Sequence, residues 1–310
     1  MREGRLLFAF PGQGSQYAGM GRFLFQAYPD ALSTVRRAER ITGRSLLPLL
    51  TEATEEDLKR TENTHPALFL YEAALYDTLS VGRGPDVVMG HSLGELAALY
   101  AAGVIDFETA LSLVLERGRI IVENSGGEGG MVALLGENVL RMVEDILRRL
   151  SPGKVVISNY NSPKQVVLSG YRVDLEKVVE FVEKQARRMR ARVRAVRLKI
   201  SFASHSPLVK DASERLAKVL DGIKFRDPVV PIIMNTTGKV ATTAEEVKRA
   251  VSRQLSSPVR FVDMVKEAVG MGVGRMWEVG PGRVLTGLVS QITDRIVAEP
   301  KDPKYYKVGT

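Results

Sequence analysis

The sequence predicts an α/β protein, and three observations indicate it. Short apolar runs alternate along the chain with stretches in which apolar residues recur at helical spacing. The chain has 310 residues, of which 45% are hydrophobic and 26% charged, as in ordinary globular proteins. A serine between two glycines stands where an apolar run meets a helical pattern. We therefore expect one large α/β core that has room for an inserted subdomain.

The first part of the chain alternates predicted strands and helices. The first apolar run ends at Pro11, which cannot donate a hydrogen bond within a sheet. Gly103 ends one helical pattern, and Asp106 is a favourable N-cap for the next. In chain order we predict a strand at 6–10, helices at 31–41 and 66–79, a strand at 87–89, and helices at 93–102 and 106–124.

A glycine-rich stretch, GGEGG at 126–130, separates this part from a segment with a different pattern. The predicted order there is strand 131–135, helix 139–150, strands 155–159 and 165–169, helix 175–187 and strand 194–200. This β-α-β-β-α-β order is typical of a ferredoxin-like unit. We therefore predict a small subdomain at 129–200, inserted into a discontinuous core formed by 1–128 and 201–310.

The core pattern resumes after the insertion. We predict a helix after Pro207, a strand at 229–234, helices at 244–254 and 258–269, a strand at 275–279, a helix at 284–292 and an irregular tail from 299.

Composition excludes several classes of protein. The chain has no cysteine, so disulfides, thiolate metal sites and a cysteine nucleophile are excluded. No apolar stretch has the length of a membrane span, and no signal peptide is recognisable, so we expect a cytoplasmic protein that does not bind membranes. We find no motif for a metal and expect no metal site.

The chain is basic, with a formal net charge of +8. Such a surface favours acidic partners, but no nucleic-acid-binding motif accompanies it. The segment 187–199 holds seven basic residues and no acidic one. Two interpretations stay open for this segment: a solvated edge strand protected by charge, or a docking surface for an acidic partner.

Ser92 is the strongest candidate for a catalytic residue. It is the serine of Gly90-His-Ser-Leu-Gly94, which fits the G-x-S-x-G pattern of a nucleophile elbow. In such an elbow the glycines permit a tight strand-to-helix turn that exposes the serine Oγ. The backbone N–H that follows, here that of Leu93, contributes to an oxyanion hole. The alternative is an ordinary turn serine that caps a helix.

A serine nucleophile needs a base, and the chain offers only His65, His91 and His205. His91 is adjacent to Ser92, and neighbouring side chains on a tight turn point apart, so we expect it to pack or to donate a hydrogen bond. His205 follows a predicted strand and precedes a helix, a suitable place for a base at the rim of the sheet. His65 stands at a predicted helix start, where capping or surface exposure is the simplest interpretation.

Seven stretches together resemble one family. In chain order they are FPGQGSQYAGMG at 10–21, GHSLGE at 90–95, ERGRIIV at 116–122, NYNSPKQVVLSG at 159–170, SHSPLVK at 204–210, RQLSSPVRF at 253–261 and EVGPGRVLTGL at 278–288. The chain resembles the malonyl-CoA:acyl-carrier-protein transacylases and the acyltransferase domains of polyketide synthases. The resemblance implies a hydrolase-like α/β core with a mainly parallel sheet and a ferredoxin-like insertion.

The resemblance also implies a function and roles for individual residues. Malonyl would pass from malonyl-CoA to the phosphopantetheine thiol of an acidic acyl carrier protein by a ping-pong mechanism, without a cofactor, in an enzyme expected to be monomeric. Ser92 would carry the malonyl ester, His205 would act as the base, and the backbone N–H of Gln13 would share the oxyanion with Leu93. Arg117 would bind the malonyl carboxylate, which its planar fork suits.

Three further positions follow from the same resemblance. A backbone carbonyl near Gln254 would orient His205 in place of a triad carboxylate, and Asn161 would lie near the active-site cleft. Where the family more often has Gln, this chain has His65, so we expect His65 near the site as well. The small Ser204 before His205 leaves open a pocket that accepts an α-methyl group, and hence methylmalonyl or a polyketide pathway.

Two other functions remain open from the sequence. A serine thioesterase or hydrolase would use the same elbow, but the absence of an obvious triad acid and the position of Arg117 favour transfer. A non-catalytic docking subunit would have lost Ser92, His205 or Arg117, and all three are present.

Overall fold

A computed structural model describes residues 4–125, 127–150, 154–198, 200 and 202–305. The α/β class with a mainly parallel sheet is confirmed. Within the described ranges the strands are β1 Arg5–Phe10, β2 Val87–Gly90, β3 Gly129–Gly136, β4 Val155–Ser162, β5 Gln165–Tyr171, β6 Val193–Arg197, β7 Ile232–Ile233, β8 Val240–Ala241, β9 Val273–Glu278 and β10 Val297–Pro300. Lys199, part of the predicted strand 194–200 and of the basic segment, lies outside the described residues.

Helices cover both faces of the main sheet. They are α1 Met20–Ala27, α2 Leu32–Thr42, α3 Leu47–Thr51, α4 Thr61–Ser80, α5 Gly94–Ala101, α6 Phe107–Glu123, α7 Val139–Leu150, α8 Arg172–Arg188, α9 Lys210–Asp221, α10 Ala244–Val251, α11 Phe261–Gly270 and α12 Val284–Ile292. Asp106 caps α6 as predicted, since its side chain accepts a hydrogen bond from the N–H of Thr109. None of the helices in these ranges is long and apolar enough to cross a membrane.

The main sheet has the strand order β10-β9-β1-β2-β7-β8, and every pair except β7–β8 is parallel. Its central strand β1 is buried at five of six positions, which explains the continuous apolar run that predicted it. Two large apolar clusters pack on opposite faces of this sheet. The carboxyl ends of β1 and β2 lie side by side, because Phe10 pairs with Gly90. The loops after these two strands therefore meet at one edge of the sheet.

The second sheet is antiparallel, with the order β4-β5-β3-β6. Helices α7 and α8 pack on it around a separate apolar cluster. The chain enters this unit after α6 and leaves it before the segment that carries His205. The boundaries 129 and 200 drawn from the sequence stay predictions.

The structure corrects two of the predictions for the main sheet. The strand predicted at 229–234 is reduced to Ile232–Ile233, and Val229 is 78% exposed. Pro228 and Pro231 flank Val229 and lack the N–H that a longer strand would need. The tail predicted to be irregular from 299 begins instead as the last two residues of β10, which pairs with β9.

Candidate active site

The turn between β2 and α5 is a strained nucleophile elbow. Ser92 has a φ of +52°, in the left-handed region that side chains rarely adopt. A Cβ on Gly90 would lie 2.1 Å from the carbonyl oxygen of Gly94, and one on Gly94 would lie 2.2 Å from the carbonyl oxygen of Phe10. Both glycines of the motif are therefore required by close backbone approach, and Ser92 is presented at the edge of the sheet.

His205 lies against the serine as a base would. Its Nε2 is 2.8 Å from the Oγ of Ser92. On the other side of the ring, Nδ1 is 2.8 Å from the carbonyl oxygen of Gln254 and 3.1 Å from that of Ser257. Carbonyl oxygens only accept, so Nδ1 carries the proton and Nε2 is left to accept the proton of Ser92. Two backbone carbonyls thus occupy the place that a carboxylate holds in a Ser-His-Asp triad.

Burial keeps His205 neutral. Burial, together with the positive charge of Arg117, lowers the pKa of His205 to about 3. The ring is therefore in its proton-accepting form throughout the neutral range. Its backbone has a φ of +59°, so both members of the pair are held in strained conformations.

Arg117 is buried beside the serine on α6. Its Nη2 is 3.4 Å from the Oγ of Ser92, and its Nε donates to Oε1 of Gln254 at 3.0 Å. Burial lowers the pKa of Arg117 to about 10, so the guanidinium stays charged at neutral pH. A buried cation with one edge directed at the serine is suited to bind an anion there.

A buried network beneath the elbow supports this arrangement, and the sequence interpretation missed it. Glu95 accepts from the backbone N–H of Asn235, from Nδ2 of Asn235 and from Nε2 of Gln254, each at 2.7 Å. Asn235 also donates to the carbonyl of Gly90 at 2.6 Å and accepts from the N–H of Ser92 at 2.8 Å. Glu95 stood inside the GHSLGE stretch, whereas no sequence signal marked Asn235.

The bond to Asn235 also affects the choice of oxyanion donors. It occupies the N–H of Ser92, whereas no partner is found within the described ranges for the N–H of Leu93 or of Gln13. Leu93 follows the nucleophile, and Gln13 lies in the loop after β1. A Cβ on Gly12 would lie 2.4 Å from the carbonyl oxygen of His91, so this loop rests directly on the elbow. Gln13 and Leu93 line the same cavity.

The remaining predicted residues are also close. The Nε2 of His91 lies 2.8 Å from Oδ1 of Asn161. His65 lies in the interior of α4, not at its start, and is fully buried. Its Nε2 is 3.4 Å from Nη1 of Arg117, and its Nδ1 has no partner among the described residues. Burial and the charge of Arg117 hold the pKa of His65 well below its usual value.

A cavity of about 270 Å³ joins these groups. It is lined from the core by Gln13, Ser92, Leu93, Arg117 and His205, and from the second sheet by Asn161 and other residues. Ser204 lines it as well. A serine hydroxyl, a neutral imidazole and a buried guanidinium therefore belong to residues that line one small space, as do Gln13 and Leu93. This set is suited to acyl transfer from an ester or thioester that carries a negative charge.

Comparison with known proteins identifies the family. The sequence profile of the family described as "Acyl transferase domain" matches residues 7–301. The chain belongs to this acyl transferase family. The match ends at residue 301, four residues before the last one that the structure describes.

Similar members of the acyl transferase family come from several bacteria. Malonyl CoA-acyl carrier protein transacylase of Bacillus subtilis is 37% identical over 295 residues, which are 94% of this chain and 92% of the relative. The crystal structure of a malonyl-CoA:acyl carrier protein transacylase from Xanthomonas oryzae pv. oryzae has a TM-score of 0.87 at 34% identity, covering 97% of this chain and 95% of the other. A malonyl-transacylase in complex with its holo type II PKS acyl-carrier protein has a TM-score of 0.85 at 36% identity, with 96% of each chain covered.

Proposed function

We propose that this acyltransferase moves a malonyl group from malonyl-CoA to the phosphopantetheine thiol of an acyl carrier protein. One observation carries the proposal. The Oγ of Ser92 lies 2.8 Å from a neutral histidine nitrogen and 3.4 Å from a buried guanidinium nitrogen. A hydrolase needs the first contact but has no need of the second. The bacterial relatives named as malonyl transacylases support the same activity.

The reaction takes place in two balanced half-reactions. Ser92 gives its proton to Nε2 of His205 while its Oγ attacks the thioester carbonyl. The N–H groups of Leu93 and Gln13 stabilise the oxyanion, the C–S bond breaks, and the proton of His205 passes to the sulfur of CoA. In the second half His205 takes the proton of the incoming thiol, the new C–S bond forms, and Ser92 recovers its proton as the ester bond breaks.

Arg117 selects the acyl group in this scheme. Its Nε is held by Gln254, so the Nη atoms are left to bind the distal carboxylate of malonyl. We propose that neutral His65 accepts from Nη1 and fixes the plane of the guanidinium. Asn161 has a supporting role, because it holds His91 beside the nucleophile.

The partner of the second half-reaction is an acyl carrier protein. The similar structure of a malonyl-transacylase with its carrier protein supports this choice, as does the net charge of +8 on this chain. The scheme calls for no cofactor or metal beyond the thioester substrate and the carrier's pantetheine. A cytoplasmic location and a monomeric state belong to the same proposal.

Intact-mass measurement tests the core of the proposal. The protein is mixed with malonyl-CoA or acetyl-CoA as wild type, Ser92→Ala and Arg117→Ala. We expect wild type to gain one malonyl group, Ser92→Ala to gain nothing, and Arg117→Ala to lose malonylation while it keeps slow acetylation. Adding holo carrier protein should discharge the malonyl ester onto the carrier. Release as free malonate with the carrier present would indicate a hydrolase instead.

Steady-state kinetics with malonyl-CoA and methylmalonyl-CoA separate the two acyl groups. Ser204 lines the cavity and is small, which favours room for an α-methyl group. Such a preference is worth about 1–3 kcal/mol. The ratio of kcat/KM for the two thioesters decides between them, and we expect malonyl-CoA to be preferred.

A further inference from the structure

A carboxylate near the end of the chain holds together two loops beside the cavity. Asp302 is fully buried and lies one residue beyond the stretch matched by the family profile. It accepts from the hydroxyl of Tyr17 at 2.9 and 3.0 Å, from the N–H of Gly282 at 2.7 Å and from the hydroxyl of Tyr71 at 3.0 Å. The N–H of Lys304 donates to it at 3.0 Å. A buried carboxylate with this many donors is strongly fixed in place.

Tyr17 connects this carboxylate to the loop that holds Gln13. We call residues 11–17 the oxyanion loop, since they connect β1 to the turn before α1 and contain that N–H. Burial, and then the charge of Asp302, raises the pKa of Tyr17, so its hydroxyl remains a donor. The ammonium of Lys304 lies 3.9 Å from the centre of the Tyr17 ring. Residues 302–304, which we call the tail, thus contact both the hydroxyl and the ring face of Tyr17.

The oxyanion loop lies between two turns. On one side Gly12 rests on the elbow. On the other side, a Cβ on Gly280 would lie 2.4 Å from the ring of Pro11, and one on Gly282 would lie 3.2 Å from the carbonyl oxygen of Ser15. We call the turn at residues 280–282 the outer turn. Asp302 binds both Gly282 of this turn and Tyr17, so it keeps the outer turn against the oxyanion loop. The position of the Gln13 N–H therefore depends on the tail.

We propose that Asp302 is a positioning residue for acyl transfer, which aligns the N–H of Gln13 with the oxyanion through Tyr17 and Gly282. The inference rests on the proposed function. An oxyanion donor acts only at about 2.7–3.1 Å from the developing charge, and its effect depends on being held there before the reaction. Loosening the loop should therefore slow the chemical step and leave recognition of the acyl group unchanged.

Two tyrosines provide a matched test. Tyr17→Phe and Tyr71→Phe each remove one hydroxyl donor from Asp302. Tyr17 belongs to the oxyanion loop, whereas Tyr71 lies on α4 and is hydrogen-bonded to the hydroxyl of Tyr17. Tyr71→Phe leaves the bond between Tyr17 and Asp302 in place. We expect Tyr17→Phe to lower kcat on the order of 10-fold, less than the 10²–10³ of a lost oxyanion donor. The fall should be equal for malonyl-CoA and acetyl-CoA, with KM unchanged. Tyr71→Phe should keep kcat within about 2-fold.

Hydrogen exchange adds a readout that does not need turnover. In Tyr17→Phe the backbone amides of residues 12–15 should exchange faster than in wild type, and in Tyr71→Phe they should not. Equal kcat for both variants, or equal exchange, would overturn the proposal and reduce Asp302 to an anchor of the tail. If wild type fails to form any acyl ester, the proposed function fails instead, and the exchange comparison still decides whether Asp302 positions the loop.

Discussion

The two glycine-rich turns that border the cavity are held in opposite ways. The elbow at residues 90–94 is fixed from directly beneath, where Asn235 binds both Gly90 and Ser92. The oxyanion loop is fixed from outside, by Asp302, which lies 285 positions after Tyr17. Ser92 is thus built into the sheet-to-helix junction, whereas the loop that holds Gln13 is fixed by a residue remote in sequence.

Two buried glutamates sharpen this contrast. Glu95 beneath the elbow accepts three hydrogen bonds, while Glu72 on α4 has no partner for either oxygen among the described residues. Glu72 lies beside the outer turn, since a Cβ on Gly280 would meet its Cγ at 3.4 Å. Burial raises the pKa of both groups, and for Glu72 the charge of Glu278 raises it further. Glu95, on the side of the elbow, therefore has hydrogen-bond partners, whereas Glu72, on the side of the oxyanion loop, has none in the part of the chain that the structure describes.

The largest effect is expected where the two turns touch. Gly94→Ala would place a Cβ 2.2 Å from the carbonyl oxygen of Phe10 and 2.4 Å from that of Pro11, so the turns must separate. We expect a loss of more than about 3 kcal/mol in the free energy of unfolding and no acyl-enzyme. Gly14→Ala is the control: its Cβ meets nothing within 4 Å, and only its φ of +109° is strained, at about 1–3 kcal/mol. Urea denaturation of both variants measures the difference, and equal losses would contradict the direct contact.

Asn235→Ala should come next in size. It removes the Nδ2 donor to Glu95 and to the carbonyl of Gly90, together with the Oδ1 acceptor for the N–H of Ser92. The backbone N–H of residue 235 still donates to Glu95. Leaving buried partners unpaired costs about 2–4 kcal/mol. Denaturation gives the stability, and the rate of malonyl-ester formation gives the effect on the nucleophile. Unchanged stability would mean that the elbow needs no support from beneath.

The pH dependence of acylation should also differ between a variant beside Ser92 and a variant in the oxyanion loop, with a smaller effect than the two substitutions above. His205 accepts a proton only when neutral, and its pKa of about 3 places the acid limb of acylation far below pH 6.5. Arg117→Ala removes one cause of that low pKa, so the limb should move to higher pH. Tyr17→Phe in the loop should leave it in place. An acetyl pantetheine thioester, which has no titrating groups in this range, is the substrate for the pH profile of kcat/KM. A limb that stays fixed in Arg117→Ala would contradict the coupling.

The smallest effect concerns the unpaired acid. Glu72→Met replaces a buried carboxyl that lacks partners, so we expect stability to rise by about 1 kcal/mol. Because the pKa of Glu72 is raised in the folded state, the folded protein binds more protons than the unfolded one above about pH 4.5. The stability of wild type therefore falls as pH rises, and the advantage of Glu72→Met should grow from pH 5 to pH 8. Thermal denaturation across that range measures it; a constant difference would mean that Glu72 does not titrate.

Local sequence determined much of this protein. The apolar run of β1, the cap at Asp106 and the strand-to-helix junction at Ser92 each depend on neighbours within a few positions, because periodicity and turn chemistry are short-range. The predicted strand at 229–234 was wrong in length for an equally local reason, the two prolines. The place of His205 between a predicted strand and a helix favoured it as the base. The resemblance to a family then supplied Arg117 and Gln13, which no spacing connects to the serine.

Only the tertiary structure decided how the site is held. Asn235 lies 143 positions from Ser92 and Asp302 lies 285 from Tyr17, and neither has a motif of its own. The second carbonyl behind His205, that of Ser257, and the contact of His65 with Arg117 also arise from packing. Hydrogen bonds to buried charges need exact distances between remote segments, and one-dimensional patterns do not contain those distances.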